Sequence, residues 1–324
     1  TKSKPAAAIK NGLKIFLIQR KGTGTVAISA AVGCGPVYET KQNNGISHFL
    51  EHVIARDMEK MERIGGQTDA FTDRIFTRYS LTVSKSDLAE ALKLMFDMIF
   101  KPKFGKKAIE KERGVVLQEI GEAYDDPISY GYFRFESFLK QKSNLALPLL
   151  GMPESVVKIG KEELKEYYER FYYPENMVFA VVGDFSIRSC KKLIQKFDIQ
   201  ASGLEPKKPK LDFELPRKRQ AVAKKGLKQA YLFFGSRAPT LFEKERYVME
   251  IATTIFGRTM FSRIYERIVK KMGAAYTAYT DYFYEGFHAT VIATSKKDVK
   301  GVERAFFEEI VKLRKVKKAV SYTH

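Results

Sequence analysis

The chain has 324 residues and a mass of 37.0 kDa, with 44% hydrophobic, 13% aromatic and 29% charged residues. That apolar content offsets chain entropy and excludes a disordered chain, and the length fits two domains. The net charge of +19 is uneven: residues 201–324 hold 26 Lys and Arg against 13 Asp and Glu, whereas the first 200 residues hold 31 against 25.

Taken in chain order, Leu13–Arg20 and Val26–Val32 read as strands separated by Lys21-Gly-Thr-Gly24. A helix begins near Asn44 and carries Ile46, Phe49, Leu50 and Val53 at helical spacing, until Gly65-Gly66 breaks it. Phe71–Val83 reads as a strand, Ser86–Ile99 as a helix closed by Pro102, and Lys107–Asp125 as a longer helix ended by Pro127. Shorter helices follow, then a strand at Met177–Val182 and a helix at Ile187–Phe197. Gln200–Gln220, with three prolines and a cluster of Lys and Arg, reads as a linker. Beyond it come two strands within Gln220–Phe234, helices at Lys244–Phe256 and Phe261–Lys271, strands at Ala275–Tyr284 and His288–Thr294, and a helix at Lys300–Lys315. This mixed order with short hairpins predicts α+β, as two loosely similar units joined by a linker.

Several features restrict function. Cys34 and Cys190 form no CxxC pair, so neither a disulfide framework nor a cysteine zinc site is encoded. No apolar run approaches the roughly 18 residues of a membrane helix, and Thr1–Ala8 lacks the layout of a signal peptide. A cytoplasmic address is therefore expected, although a cleaved targeting segment is compatible with the same sequence. The basic runs Lys207–Arg219 and Lys312–Lys318 read as a solvated linker and helix face. The other reading is a surface for an acidic partner; no nucleic-acid motif accompanies it, so nucleic acid is not an expected partner.

Two of the four histidines fall in His48-Phe-Leu-Glu-His52. Positions i and i+4 share a helix face, so both imidazoles can point at one ion, with Glu51 beside them. This H-x-x-E-H order occurs among zinc proteases, where zinc needs a third protein ligand and an open position for water. By itself the pattern also fits a helix with two surface histidines. Glu112 and Glu119 lie two turns apart on a second helix beside an apolar stripe, a pattern that an ordinary amphipathic helix also shows.

Further motifs follow in order: Asn44-Gly-Ile-Ser-His-Phe-Leu-Glu-His52, Gly65-Gly-Gln-Thr-Asp-Ala-Phe-Thr72, Glu112-Arg-Gly-Val-Val-Leu-Gln-Glu119, Tyr173-Pro-Glu-Asn-Met177, Val182-Gly-Asp184, Ser262–Ile268 and Gly273-Ala-Ala-Tyr276. On these the chain resembles the M16 family of zinc metallopeptidases, the pitrilysin and insulinase group that includes mitochondrial processing peptidase. The resemblance implies two α/β-roll units, each a mixed, largely antiparallel sheet packed with helices. It assigns residues 1–199 to a zinc-binding catalytic domain, 200–220 to a linker, and 221–324 to a homologous domain that stops short of the family's usual end. It implies Zn2+ held by His48, His52 and Glu119, with Glu51 as general base and Glu112 supporting the site from behind the ligands. Asp69, Ala70, Phe71 and Thr72 would form the edge strand that receives an extended peptide, and Tyr276 would contact substrate.

The implied activity is a zinc metalloendopeptidase acting on peptides or small unfolded proteins; the alternatives are a non-catalytic assembly or scaffold subunit and a basic binding protein. Three departures stand out. Only Val53 to Ile64 separate His52 from Gly65, where the family usually has a longer segment, and Asp69 replaces the family's edge-strand Asn. Val269 stands where the family places an Arg seven positions before the Tyr, so a second M16-like subunit bearing the Arg/Tyr pair is the expected partner. A homodimer would lend the same deficient half.

Overall fold

The computed structural model describes residues 6–216 and 219–314. His324 and the end of the basic run, Lys315–Lys318, lie outside the described residues. The chain divides into two compact units, Thr1–Glu122 with Leu147–Lys210 and Ala123–Ala146 with Leu211–His324. The stretch 123–146, which the sequence reading places in the N-terminal domain, thus clusters with the second unit.

In the first unit, β1 (Ala6–Lys10) and β2 (Leu13–Gln19) form a hairpin over Asn11-Gly12. Both turn residues have positive φ, 46° and 85°, the geometry of the tight turn that Asn-Gly favours. Next come β3 (Thr25–Val32), α1 (Ile46–Ala55), the short α2 (Glu59–Glu62), β4 (Gln67–Thr72), β5 (Thr77–Ser84) and α3 (Leu88–Phe100). The single strand expected over Phe71–Val83 is in fact a hairpin of β4 and β5. Alternation runs through both arms, and the reversal sits at Asp73–Phe76, where the Asp73 N–H donates to the Phe76 carbonyl (2.7 Å). α4 (Lys106–Asp125) follows, and α5 (Pro127–Leu139) belongs to the second unit.

The first unit is completed by α6 (Pro153–Val156), α7 (Lys161–Phe171), β6 (Met177–Gly183) and α8 (Ile187–Gln195). Its six strands lie in the order β1-β2-β6-β3-β5-β4, antiparallel except for the β2–β6 pair. The late strand β6 inserts between two early ones, which makes β3 central and leaves β4 at an edge. Leu13, Ile15, Leu17, Val26, Ile28, Leu81, Phe179 and Val181 are buried, and Phe96 of α3 stacks on Phe179 at 4.7 Å between ring centroids. The first half of the expected linker is tied to this unit: the hydroxyls of Tyr38 and Tyr173 donate to the carbonyls of Lys207 (2.7 Å) and Glu205 (2.9 Å).

The second unit contains β7 (Ala230–Arg237), α9 (Arg246–Thr253), β8 (Ala275–Phe283), β9 (Phe287–Thr294) and α10 (Val299–Arg314). Its sheet is antiparallel in the order β7-β9-β8. Only one strand forms where the sequence suggests two within Gln220–Phe234. The two expected helices are partly π-helical, at Thr254–Arg258 and Tyr265–Lys271. Phe256, Ile264, Ile268, Ile292, Val302 and Phe306 form the core. The buried Lys140, just past α5, holds its Nζ 3.7 Å from both Glu136 and Glu285 and 3.9 Å from the Phe287 ring centroid, which ties α5 to the start of β9. Among the described residues, no helix is long and apolar enough to cross a membrane.

Candidate metal centre

α1 is buried along nearly its whole length, so its register is set by packing. Its N-terminus is held from outside the helix. The buried carboxylate of Glu39 accepts from the Gly45 N–H (2.7 Å), the Ser47 N–H (2.9 Å) and Asn44 Nδ2 (2.8 Å). These amides have no intrahelical acceptor, and a negative charge is favoured at this end of a helix. Burial pushes the Glu39 carboxyl up, and these donors oppose the shift.

Gly45 has φ 95°, and a Cβ there would lie 2.8 Å from the Gly151 Cα. Two glycines therefore let the 148–151 loop touch the start of α1. That approach brings the Leu150 carbonyl to 3.3 Å from His48 Nδ1. A carbonyl only accepts, so Nδ1 carries the proton and Nε2 is left with its lone pair.

The donor atoms then converge. His48 Nε2 and His52 Nε2 are 3.1 Å apart, and Glu119 Oε2 on α4 lies 3.3 Å from the first and 3.4 Å from the second. A tetrahedral zinc site with ligand distances of about 2.0–2.1 Å has donor–donor edges of about 3.3 Å, so the three atoms form one face of such a tetrahedron. Among the described residues, they are a His and carboxylate set able to hold an ion. Two imidazoles and a carboxylate also suit zinc chemically.

Glu112, about two turns before Glu119 on α4, holds Oε2 4.0 Å from His52 Nδ1. That distance is beyond a direct hydrogen bond but on the side where a ligating imidazole needs an acceptor. Arg113 ties α4 to α1 and α6 within the first unit, with its guanidinium 5.1 Å from the Phe49 ring centroid and a hydrogen bond to the Val156 carbonyl.

The electrostatics fit a site that attracts a cation. Burial pulls the His48 imidazole down, but Glu119, Glu51 and the Leu150 carbonyl together outweigh it, and the net shift is upward. At His52 burial and the neighbouring His48 prevail over Glu119, and the shift is downward. The contact with His48, with both imidazoles beside it, holds Glu119 below the usual carboxylate range against partial burial.

Glu51 is buried at 6% exposure, and burial raises its carboxyl, a shift that the Thr72 hydroxyl and His48 oppose. Thr72 Oγ1 donates to Glu51 Oε2 at 2.7 Å. β4, which carries Asp69, Ala70, Phe71 and Thr72, is an edge strand paired, among the described residues, only with β5. Asp69 is bound to Arg78 Nη2 at 2.8 Å, and the same guanidinium lies over the Phe71 ring. Tyr276 is in the second unit, 84% exposed at the bulged start of β8. The short Val53–Ile64 connection closes through a 3₁₀ turn and α2, with Met58 and Met61 buried.

Three contributors escape the sequence reading: Glu39, the Leu150 carbonyl and the hydroxyl of Thr72 acting on Glu51. Each works through a loop or across strands, so no spacing marks it.

Residues 14–151 match the family model described as insulinase (peptidase family M16), and residues 158–318 match the one described as the peptidase M16 inactive domain. An uncharacterized zinc protease of Bacillus subtilis, YmxG, is 30% identical over 285 residues, which is 84% of this chain and 68% of that protein. An uncharacterized zinc protease of Rickettsia felis is 28% identical over 305 residues, 90% of this chain and 73% of that one. Among solved structures, a protease from Helicobacter pylori superposes with a TM-score of 0.89 at 20% identity, covering 98% of this chain and 81% of that chain. A chain of complex III2 from Candida albicans gives a TM-score of 0.75 at 21% identity, over 91% and 72%. At these identities the two structural likenesses speak for the fold alone.

Proposed function

The chain belongs to peptidase family M16, and on that premise we propose that it is a zinc-dependent endopeptidase acting on peptides or small unfolded proteins. The observation that carries this reading is the trio His48, His52 and Glu119, spaced as one face of a metal tetrahedron beside a buried carboxylate. His48, His52 and Glu119 would hold the ion, and Glu112 would orient His52. Bound there, zinc supplies Lewis acidity, which polarises a carbonyl and brings the pKa of coordinated water to about 7.

Glu51 takes the proton from the attacking water and returns it to the leaving amine, a general base that becomes a general acid. Burial raises its carboxyl, the direction that favours a group which takes a proton and gives it back. The outer edge of β4, unpaired among the described residues, offers backbone N–H and C=O groups to an extended substrate, which favours unfolded segments over folded ones. Where the family carries Asn, this strand presents an Asp69 already paired with Arg78, a difference that bears on substrate preference.

The second unit lacks the Arg expected alongside Tyr276. Val269 packs against the apolar core, and Arg267 lies 3.5 Å from Glu308. A second M16-like polypeptide would supply the Arg/Tyr pair that helps stabilise the oxyanion. The contrasting reading, a non-catalytic assembly subunit, gives no role to the intact donor trio and its buried carboxylate. The deciding experiment is metal analysis of the purified protein together with digestion of an unstructured peptide, with and without chelator. Stoichiometric zinc and chelator-sensitive cleavage are expected; a metal-free protein with no cleavage, alone or with an M16-like partner, would refute the proposal.

A further inference from the structure

Thr72 sits at the end of the edge strand, yet its side chain is buried and turned toward α1. Its Oγ1 is 2.7 Å from Glu51 Oε2 and 3.2 Å from Thr77 Oγ1. Thr77 Oγ1 is in turn 3.1 Å from the Cys34 carbonyl. The order of donation follows from chemistry. A carbonyl only accepts, so the Thr77 proton goes to Cys34; a carboxylate only accepts, so the Thr72 proton goes to Glu51. Thr72 and Thr77 are directly opposed in the β4–β5 register, so the donor stands on a two-stranded frame.

We propose that Thr72 is a positioning residue for the general base: its hydroxyl engages Glu51 Oε2 and leaves Oε1 as the oxygen that meets water. This rests on the reading of Glu51 as the base. It separates two tasks within one residue. The backbone of Thr72 belongs to the edge where an extended peptide would pair, and its side chain fixes the rotamer of the group that moves the proton. Docking of substrate along β4 and aim of the base are thereby joined through a single strand end. Ordering a carboxylate by a fixed donor matters because misplacement of a catalytic group by even about 1 Å is costly in rate.

The test compares Thr72→Val, Thr72→Ser and Glu51→Gln in the zinc-loaded protein, assayed on an unstructured peptide. Thr72→Val is expected to lower kcat about 10-fold, the worth of one hydrogen bond to a charged group, with KM and zinc content unchanged. Thr72→Ser keeps the hydroxyl and should recover most of the rate. In a Glu51→Gln background, Thr72→Val should cost little more, because the residue acts through Glu51.

A rise in KM alone would make Thr72 a substrate contact and overturn the proposal, as would an unchanged kcat or an equal loss in the Glu51→Gln background. A structural readout stands apart from activity: in crystals of metal-free Thr72→Val, the Glu51 carboxylate should leave its wild-type orientation, and an unmoved carboxylate would overturn the proposal. If instead Glu51→Gln turned over normally, the general-base reading would fail, and the crystal comparison would still decide whether Thr72 orients Glu51.

Discussion

In the first unit β3, β5 and β4 lie side by side in that order, antiparallel, with α1 between β3 and β4 in the chain and α3 after β5. In the second unit β7, β9 and β8 repeat the arrangement, with α9 and two π-helical turns in the place of α1 and α10 in the place of α3. The helix that differs is the one that carries His48, Glu51 and His52 in the first unit. A regular α-helix returns to the same face after four residues, which lets His48 and His52 converge; a π-helical turn, bonded i to i+5, shifts that return.

The sheets diverge at their other edge as well. β3 is flanked by β6, whereas β7 pairs only with β9 among the described residues. Beside β7 lies a cavity of about 1450 Å3 lined by Phe135, Phe233, Phe306 and Phe307 among others. The repeated strand order therefore sets an architecture, and the trio His48, His52 and Glu119 is a local addition to one copy of it.

The sharpest way to test that division is to remove a ligand. His48→Ala, His52→Ala and Glu119→Gln are each expected to lose stoichiometric zinc and with it all measurable peptidase activity, read by metal analysis and peptide digestion. Full zinc in Glu119→Gln would place the third ligand elsewhere and break the comparison. Glu51→Gln comes next: zinc and peptide binding persist while turnover falls about 10²-fold or more, the scale of general acid–base catalysis. Near-normal turnover there removes Glu51 from the mechanism.

Stability tests follow. Phe306→Ala empties a core position stacked on Phe234 at 4.0 Å in the second unit and should cost about 3–5 kcal/mol in urea unfolding, with zinc stoichiometry intact in the folded fraction. Loss of zinc in folded Phe306→Ala protein would contradict the assignment of the metal to the first unit alone. Glu39→Ala should cost about 1–3 kcal/mol, because the Gly45 and Ser47 amides lose a buried acceptor. The smallest effect belongs to Tyr276→Phe: at an exposed position it should change unfolding free energy by less than about 0.5 kcal/mol. Its effect on cleavage should depend on whether an M16-like partner is added; cleavage by the chain alone, indifferent to Tyr276→Phe and to partner, would end the case for a completing subunit.

Much of the first unit was legible. The helices around Phe49, at Ser86–Ile99 and at Lys107–Asp125 match α1, α3 and α4 closely, because a 3.6-residue apolar stripe survives in each. β1 escaped, although Asn11-Gly12 is a strong hairpin signal, because Ala6-Ala-Ala8 offers little strand character. The second unit was harder to read. π-helical turns leave no distinctive period, and β7, with little alternation between buried and exposed positions, blurs its own start.

His48-Phe-Leu-Glu-His52 determined two donors and a neighbouring carboxylate by itself, since helical spacing alone puts them together. Resemblance, not spacing, singled out Glu119 from the many glutamates on solvated helices. Only the tertiary structure decided that Glu119 Oε2 reaches both imidazoles, that Leu150 sets the tautomer of His48, that Glu39 caps α1 and that Thr72 holds Glu51. Those four contacts join residues from 6 to 102 positions apart. Helical periodicity acts over four residues, whereas such contacts depend on how loops and strands close in space, and a linear sequence carries no period for that.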